Sequence, residues 1–118
     1  MGVMTSLASL DAIREVGLDK ACIGCLSGLP TGLESVEQMT KNAKCVVTVD
    51  GCDLECAKKI VEKTGAEITS SIVLTRDLDI KKRSLWVAGS RGQNIDEALD
   101  DDDTGKARDM IISKITTD

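Results

Sequence analysis

The chain has no histidine, no phenylalanine, no tyrosine, one tryptophan and one proline in 118 residues. Each absence excludes something. Without histidine there is no Ser-His or Cys-His nucleophile pair and no imidazole metal ligand. Any transition-metal site must then be built from thiolates, carboxylates or water. With a single aromatic ring there is no platform for stacking the successive bases of a single strand. A formal net charge of −5 also argues against a phosphate-backbone partner, so no nucleic acid is expected. No apolar run approaches the length of a membrane span, and residues 1–10 lack the basic start and apolar core of a secretory signal. The expectation is a cytoplasmic protein with no membrane partner.

What is present is thiol. There are five cysteines. In a reducing compartment they read as free thiols or metal ligands rather than disulfides. The length fits a single domain over residues 1–118, with 84–118 as a C-terminal extension ending in a helix.

The sequence from Val46 to Gly65, VVTVDGCDLECAKKIVEKTG, organises the rest. A β-branched run from Cys45 to Val49 reads as a buried strand. An Asp50-Gly51-Cys52 corner follows, then an amphipathic helix from about Asp53 to Thr64. Asp53 is the expected cap, Leu54, Ala57, Ile60 and Val61 the buried face, and Gly65 the stop. Upstream, Leu7, Leu10, Ile13 and Val16 form an apolar stripe on a helix over 5–16. Lys20 to Gly24 reads as a strand with Cys25 at its carboxyl end. Thr31 and Glu34 have capping-box spacing for a helix to about Lys41. Ile68 to Thr75 is a further strand. After a charged turn over 77–83, Ser84 to Ala88 reads as an edge strand. Asn94 and Glu97 cap a short helical turn, Asp100 to Asp103 is a solvated connection, and Lys106 to Ile115 is the last helix. The expected fold is α/β, three-layer, with a mainly parallel, Rossmann-like sheet of about four strands and helices on both faces.

In such a sheet, loops at the carboxyl ends of neighbouring strands make the site. Cys52, in the corner, and Cys56, at the helix start, are close enough in sequence to share one metal. Cys25 reaches the same edge if its strand pairs directly with that of Cys45 to Val49. Cys22 and Cys25 form a Cys-x-x-Cys pair, but Cys22 falls inside an expected strand and no helix follows directly, which is not the thioredoxin arrangement. Cys22 and Cys45 are expected as small core residues. Asp50 reads as a strand-end turn residue or as a carboxylate supporting a metal ligand. An alternative is a thiol-based redox or sulfur-handling enzyme with Cys52 as an activated thiolate. A third is a scaffold module whose cysteines only pack.

The segment DGCDLECAKK, Asp50 to Lys59, resembles the signature of the DGC-domain family, regarded as zinc-binding proteins. The resemblance continues through Cys25-Leu26-Ser27-Gly28, Ile72-Val73-Leu74-Thr75 and Asp79-Ile80-Lys81-Lys82, and covers roughly residues 3 to 83. It implies a metal site of four cysteines, three of which transfer onto Cys25, Cys52 and Cys56. The fourth precedes Met1-Gly2-Val3-Met4 in the family pattern. The first strand is therefore expected to be missing here, leaving Cys22, Asp50 or water for the fourth position. The resemblance implies zinc, with iron or another thiophilic metal as the alternative. The family has no established reaction, so a binding protein is favoured over an enzyme.

Overall fold

The computed structural model describes residues 2–82 and 84–116. It is a mixed α/β arrangement around a two-stranded parallel sheet. The elements are α1 (Gly2–Val16), a 3-10 turn (Leu26–Gly28), α2 (Glu34–Asn42), β1 (Val47–Asp50), α3 (Cys56–Lys63), β2 (Ser70–Val73), α4 (Leu74–Asp77), α5 (Leu85–Ser90), α6 (Ile95–Ala98) and α7 (Asp101–Ile115). Val47 pairs with Ser70 and Asp50 with Val73, so both strands end at the same edge. No helix among the described residues is long and apolar enough to cross a membrane.

Alternation along a strand sends successive side chains to opposite faces. Val47, Val49 and Ile72 join one cluster with Met4, Ala8 and Ala12 of α1 and Ala107 and Ile111 of α7. α1 and α7 pack along one another over that face. α3 lies on β1, and its N-terminus is bonded to Asp50, on the other face. Thr48 and Ser71 are register partners there, and both hydroxyls are buried without a hydrogen-bond partner among the described residues. The mixed α/β class and the parallel pairing are thus as expected, but the sheet among the described residues has two strands rather than about four, so the three-layer, Rossmann-like sheet is not formed by them.

Several expectations change in instructive ways. α1 forms as expected but rolls onto a different face. Met4, Ala8 and Ala12 are buried, while Leu7 and Leu10 are 39% and 41% exposed. Small side chains let two helices approach closely, and Ala8, Ala12 and Ala107 are all fully buried at this contact. Lys20 to Gly24 is not a strand. Its one β-branched residue, Ile23, is 56% exposed, and residues 22–24 make no backbone hydrogen bonds among the described residues. A strand needs a neighbouring strand to satisfy its ladder, and here none is alongside.

Ser84 to Ala88 is helical rather than an edge strand. Ser84 Oγ accepts from Val87 N–H at 3.4 Å, and Trp86 faces outward at 88% exposure. Asp100 to Asp103 is no loose connection. Asp100 caps α7, accepting from the N–H groups of Asp102 and Asp103, and the next three aspartates fill the first turn, where the helix dipole favours negative charge. Thr31 does not cap α2. Its hydroxyl donates to the carbonyls of Ser27 and Gly28, and Leu33 takes the N-cap position. The Asn94 cap of α6 stands where the sequence puts it, and the last helix ends at Ile115 as expected but begins at Asp101 rather than Lys106. The charged turn expected over 77–83 overlaps α4, and Arg83 lies outside the described residues.

Which face of α1 is buried is open to test. Ala8→Leu is expected to overpack the α1–α7 contact and to lower stability by about 1–3 kcal/mol in urea unfolding. Leu10→Gln, on the stripe that hydropathy alone would bury, is expected to stay within about 0.5 kcal/mol. The reverse order would mean the helix sits on its leucine face.

Candidate metal centre

The corner between β1 and α3 is held by a buried carboxylate. Asp50 is 6% exposed. Its Oδ1 accepts from Ala57 N–H at 2.7 Å and its Oδ2 from Lys58 N–H at 3.1 Å. Both are among the N–H groups a helix start leaves without intrahelical partners. The last residue of the strand therefore caps the helix that follows, in place of Asp53, which is exposed. Helix α3 begins only at Cys56, later than the sequence pattern suggests, so Leu54 falls in the turn and is exposed.

The turn closes through Glu55. Its backbone is left-handed, with φ 50° and ψ 47°, an uncommon conformation for a side chain other than glycine. Its N–H donates to the Cys52 carbonyl at 3.2 Å. Its carboxylate pairs with Lys58 at 3.2 Å and with Arg76 at 3.4 Å. Arg76 belongs to α4, directly after β2, so this contact ties the carboxyl ends of the two strands together. Arg76 also grips Asp77, with Nε 3.1 Å from Oδ1, and Asp77 Oδ2 accepts from Val73 N–H at 2.8 Å. The Arg76 guanidinium, helped by the Val73 N–H and opposed by partial burial, holds the Asp77 carboxyl below its ordinary range. Asp77 in turn raises Arg76. Neither Glu55 nor Arg76 stood out in the sequence. The one available sign was a charged pair directly after a strand.

Around this corner the thiols fall as follows. Cys52 is half-buried in the turn, and Cys56 is exposed as the first residue of α3. Cys25 is exposed, immediately before the 3-10 turn, and that turn packs against α3. Cys22, expected in the core, is exposed in an irregular segment. Cys45 is half-buried just before β1. All five are free thiols.

Thiolates are suitable zinc donors, so the donor chemistry fits the metal the sequence pattern implies. The positions do not converge as they stand. Among the described residues, no three Cys, Asp or Glu side chains lie close enough to hold one ion. Asp50 directs both oxygens to backbone donors. A concavity of about 600 Å³ opens elsewhere, between α5 and α6, lined by Lys82, Arg91, Glu97 and Asp100 among others, and no cysteine lines it.

Two measurements probe the corner. Asp50→Ala strips a buried charged cap from two N–H groups, with an expected loss of about 2–3 kcal/mol in urea unfolding, and Asp50→Asn is expected to lose less. Asp53→Ala is expected to change little, within about 0.5 kcal/mol. Asp77 gives a pH dependence. A carboxyl held lower in the folded than in the unfolded chain binds fewer protons when folded, so its contribution is present above the ordinary carboxyl range and is lost as pH falls through the lowered value. The acid side of the stability profile should be shallower in Asp77→Asn, and an unchanged slope would remove Asp77 from the clamp.

No curated protein and no solved structure matches the chain. The DGC domain pattern matches residues 1–99, which take in every cysteine, both strands and the whole corner from Asp50 to Cys56. With most of its length matched, this chain belongs to the DGC domain family.

Proposed function

We propose that the protein binds a thiophilic metal ion, zinc first among them, through the thiolates of Cys25, Cys52 and Cys56. The observation that carries this reading is the placement of Cys52 and Cys56 on either side of one turn, held by the Asp50 cap and the Glu55–Arg76 pair. The 3-10 turn that follows Cys25 packs on the helix that Cys56 begins. Family membership supports the same reading.

Gathering the thiols around one ion requires residues 21–25 to shift toward the corner. Among the described residues, 22–24 have no backbone hydrogen bonds, and the segment is tied only at its ends, by Ala21 N–H to the Gly17 carbonyl and by Gly28 N–H to the Cys25 carbonyl, so the shift opposes little existing structure. Zinc would be held as a redox-inert ion with tetrahedral preference, and its binding energy would order that segment. Cys22 or water completes the set, while Asp50 supports it by fixing the helix start. The role is metal binding rather than a reaction, and free thiols suit a reducing compartment such as the cytoplasm.

Metal analysis of the full chain purified with reducing agent tests this. Near-stoichiometric zinc is expected, lost in the Cys52→Ser/Cys56→Ser double variant. Added zinc should raise unfolding stability, by about 2.7 kcal/mol when free ion is a hundredfold above Kd. Zinc, iron and copper all at background, or a metal content that the double variant leaves unchanged, would overturn the proposal.

A further inference from the structure

The Cys-x-x-Cys pair is not fully used by this reading, because Cys25 is a ligand while the fourth position falls to either Cys22 or water. The sequence pattern placed Cys22 inside a strand, which would have kept it from its neighbour. The structure puts both Cys22 and Cys25 at the surface as free thiols, in a segment without regular structure. We propose that Cys22 and Cys25 form a redox dithiol, which closes to an intramolecular disulfide by exchange with a small disulfide such as oxidised glutathione.

Ring closure decides which thiols pair. A disulfide needs the two Cα atoms about 4.4–6.8 Å apart, so the intervening residues must fold into a turn. Between these two thiols lie Ile23 and Gly24, which among the described residues have no backbone hydrogen bond to give up. Gly24 is in open space, with no heavy atom near where a Cβ would project, and glycine adopts the dihedrals a tight turn demands. Closing the pair leaves the 3-10 turn intact, since Cys25 contributes only its carbonyl, accepting from Gly28 N–H at 3.1 Å.

The competing pair is held. Cys52 lends its carbonyl to Glu55 N–H, and Cys56 opens a helix whose N–H groups at Ala57 and Lys58 are bound to Asp50. Bonding Cys52 to Cys56 works against those contacts. Cys45 is half-buried beside β1, away from easy attack.

The exchange balances in two steps. One of the two thiolates attacks a glutathione sulfur, forming a mixed disulfide and releasing a first glutathione thiolate. The second protein thiolate then attacks the protein sulfur of that mixed disulfide, releasing the second. Two protein thiols are oxidised, one oxidised glutathione becomes two reduced glutathiones, and the two thiol protons pass to the leaving thiolates. On the metal-binding reading, the same step withdraws Cys25 from the ligand set, which would make metal retention depend on redox state. That consequence rests on the proposed function; the disulfide itself does not.

The test uses the full chain, stripped of metal by a chelator so that its outcome is independent of metal affinity. The protein is exposed to oxidised glutathione, remaining thiols are alkylated, and tryptic peptides are weighed. Residues 21–41 form one peptide carrying Cys22 and Cys25, and residues 45–58 another carrying Cys45, Cys52 and Cys56. The first peptide should appear unalkylated and lighter by two hydrogens, while the second remains alkylated at all its thiols. Cys22→Ser, at an exposed position outside regular structure, should instead accumulate the mixed disulfide on Cys25. A disulfide forming first in residues 45–58, or stable mixed disulfides in place of the ring in the unaltered chain, would overturn the proposal.

Discussion

The Asp50 carboxylate is the constraint on which the β1–α3 half of the molecule depends. It ends a strand and starts a helix at once, through two charged hydrogen bonds from a buried position. α3 spans only Cys56–Lys63, and a helix that short does not persist in water without help. Its packing on β1 and this cap supply the help. The left-handed Glu55 is a local cost, offset by the cap and by the Lys58 and Arg76 pairs on its side chain. Because Arg76 follows β2, one network joins the carboxyl ends of both strands, and Cys52 and Cys56 are placed relative to that network rather than to a loose loop.

The other half is organised by close packing of small residues. α1 and α7 meet through Met4, Ala8, Ala12, Ala107 and Ile111, and together they cover the Val47, Val49 and Ile72 face. With two strands, the sheet has little surface of its own to bury. Most of the core is therefore helix against helix and helix against strand. That packing leaves Leu7 and Leu10 half-outside, a cost that close Ala contacts and the buried Met4 outweigh.

Four of the five thiols divide by how their backbone is held. Cys52 and Cys56 sit on a corner with fixed dihedrals. Cys22 and Cys25 sit on a segment with little to restrain it. The proposed ligand set, drawn from both classes, would combine a rigid part with an adaptable part, and ordering the adaptable part would cost about 1–2 kcal/mol per residue fixed. On that proposal a bound metal would offset the cost, so binding and local ordering would be coupled.

What the sequence determined by itself was local. The strand expected over Cys45 to Val49 and found at Val47–Asp50, the helix through Val61, the glycine stop at Gly65, the Asn94 cap and the second half of the last helix are set by residues within a turn or two of one another, and their patterns survive folding. The strand–turn–helix order of the DGC corner was legible for the same reason, but its cap was not: Asp53 stood at the expected cap position, and the buried Asp50 carboxylate, reaching donors seven and eight residues away, took that role. Tertiary structure decided the rest. Whether KACIG becomes a strand depends on a neighbour that its own residues do not encode. Which face of α1 goes inward depends on how closely α7 can approach, and alanine gives no hydropathy signal of that. The Glu55–Arg76 pair spans residues 55 to 76 and exists only once β1 and β2 lie side by side in register. Thiol exposure, and with it the division between a held pair and a free pair, likewise follows from which backbone groups found partners.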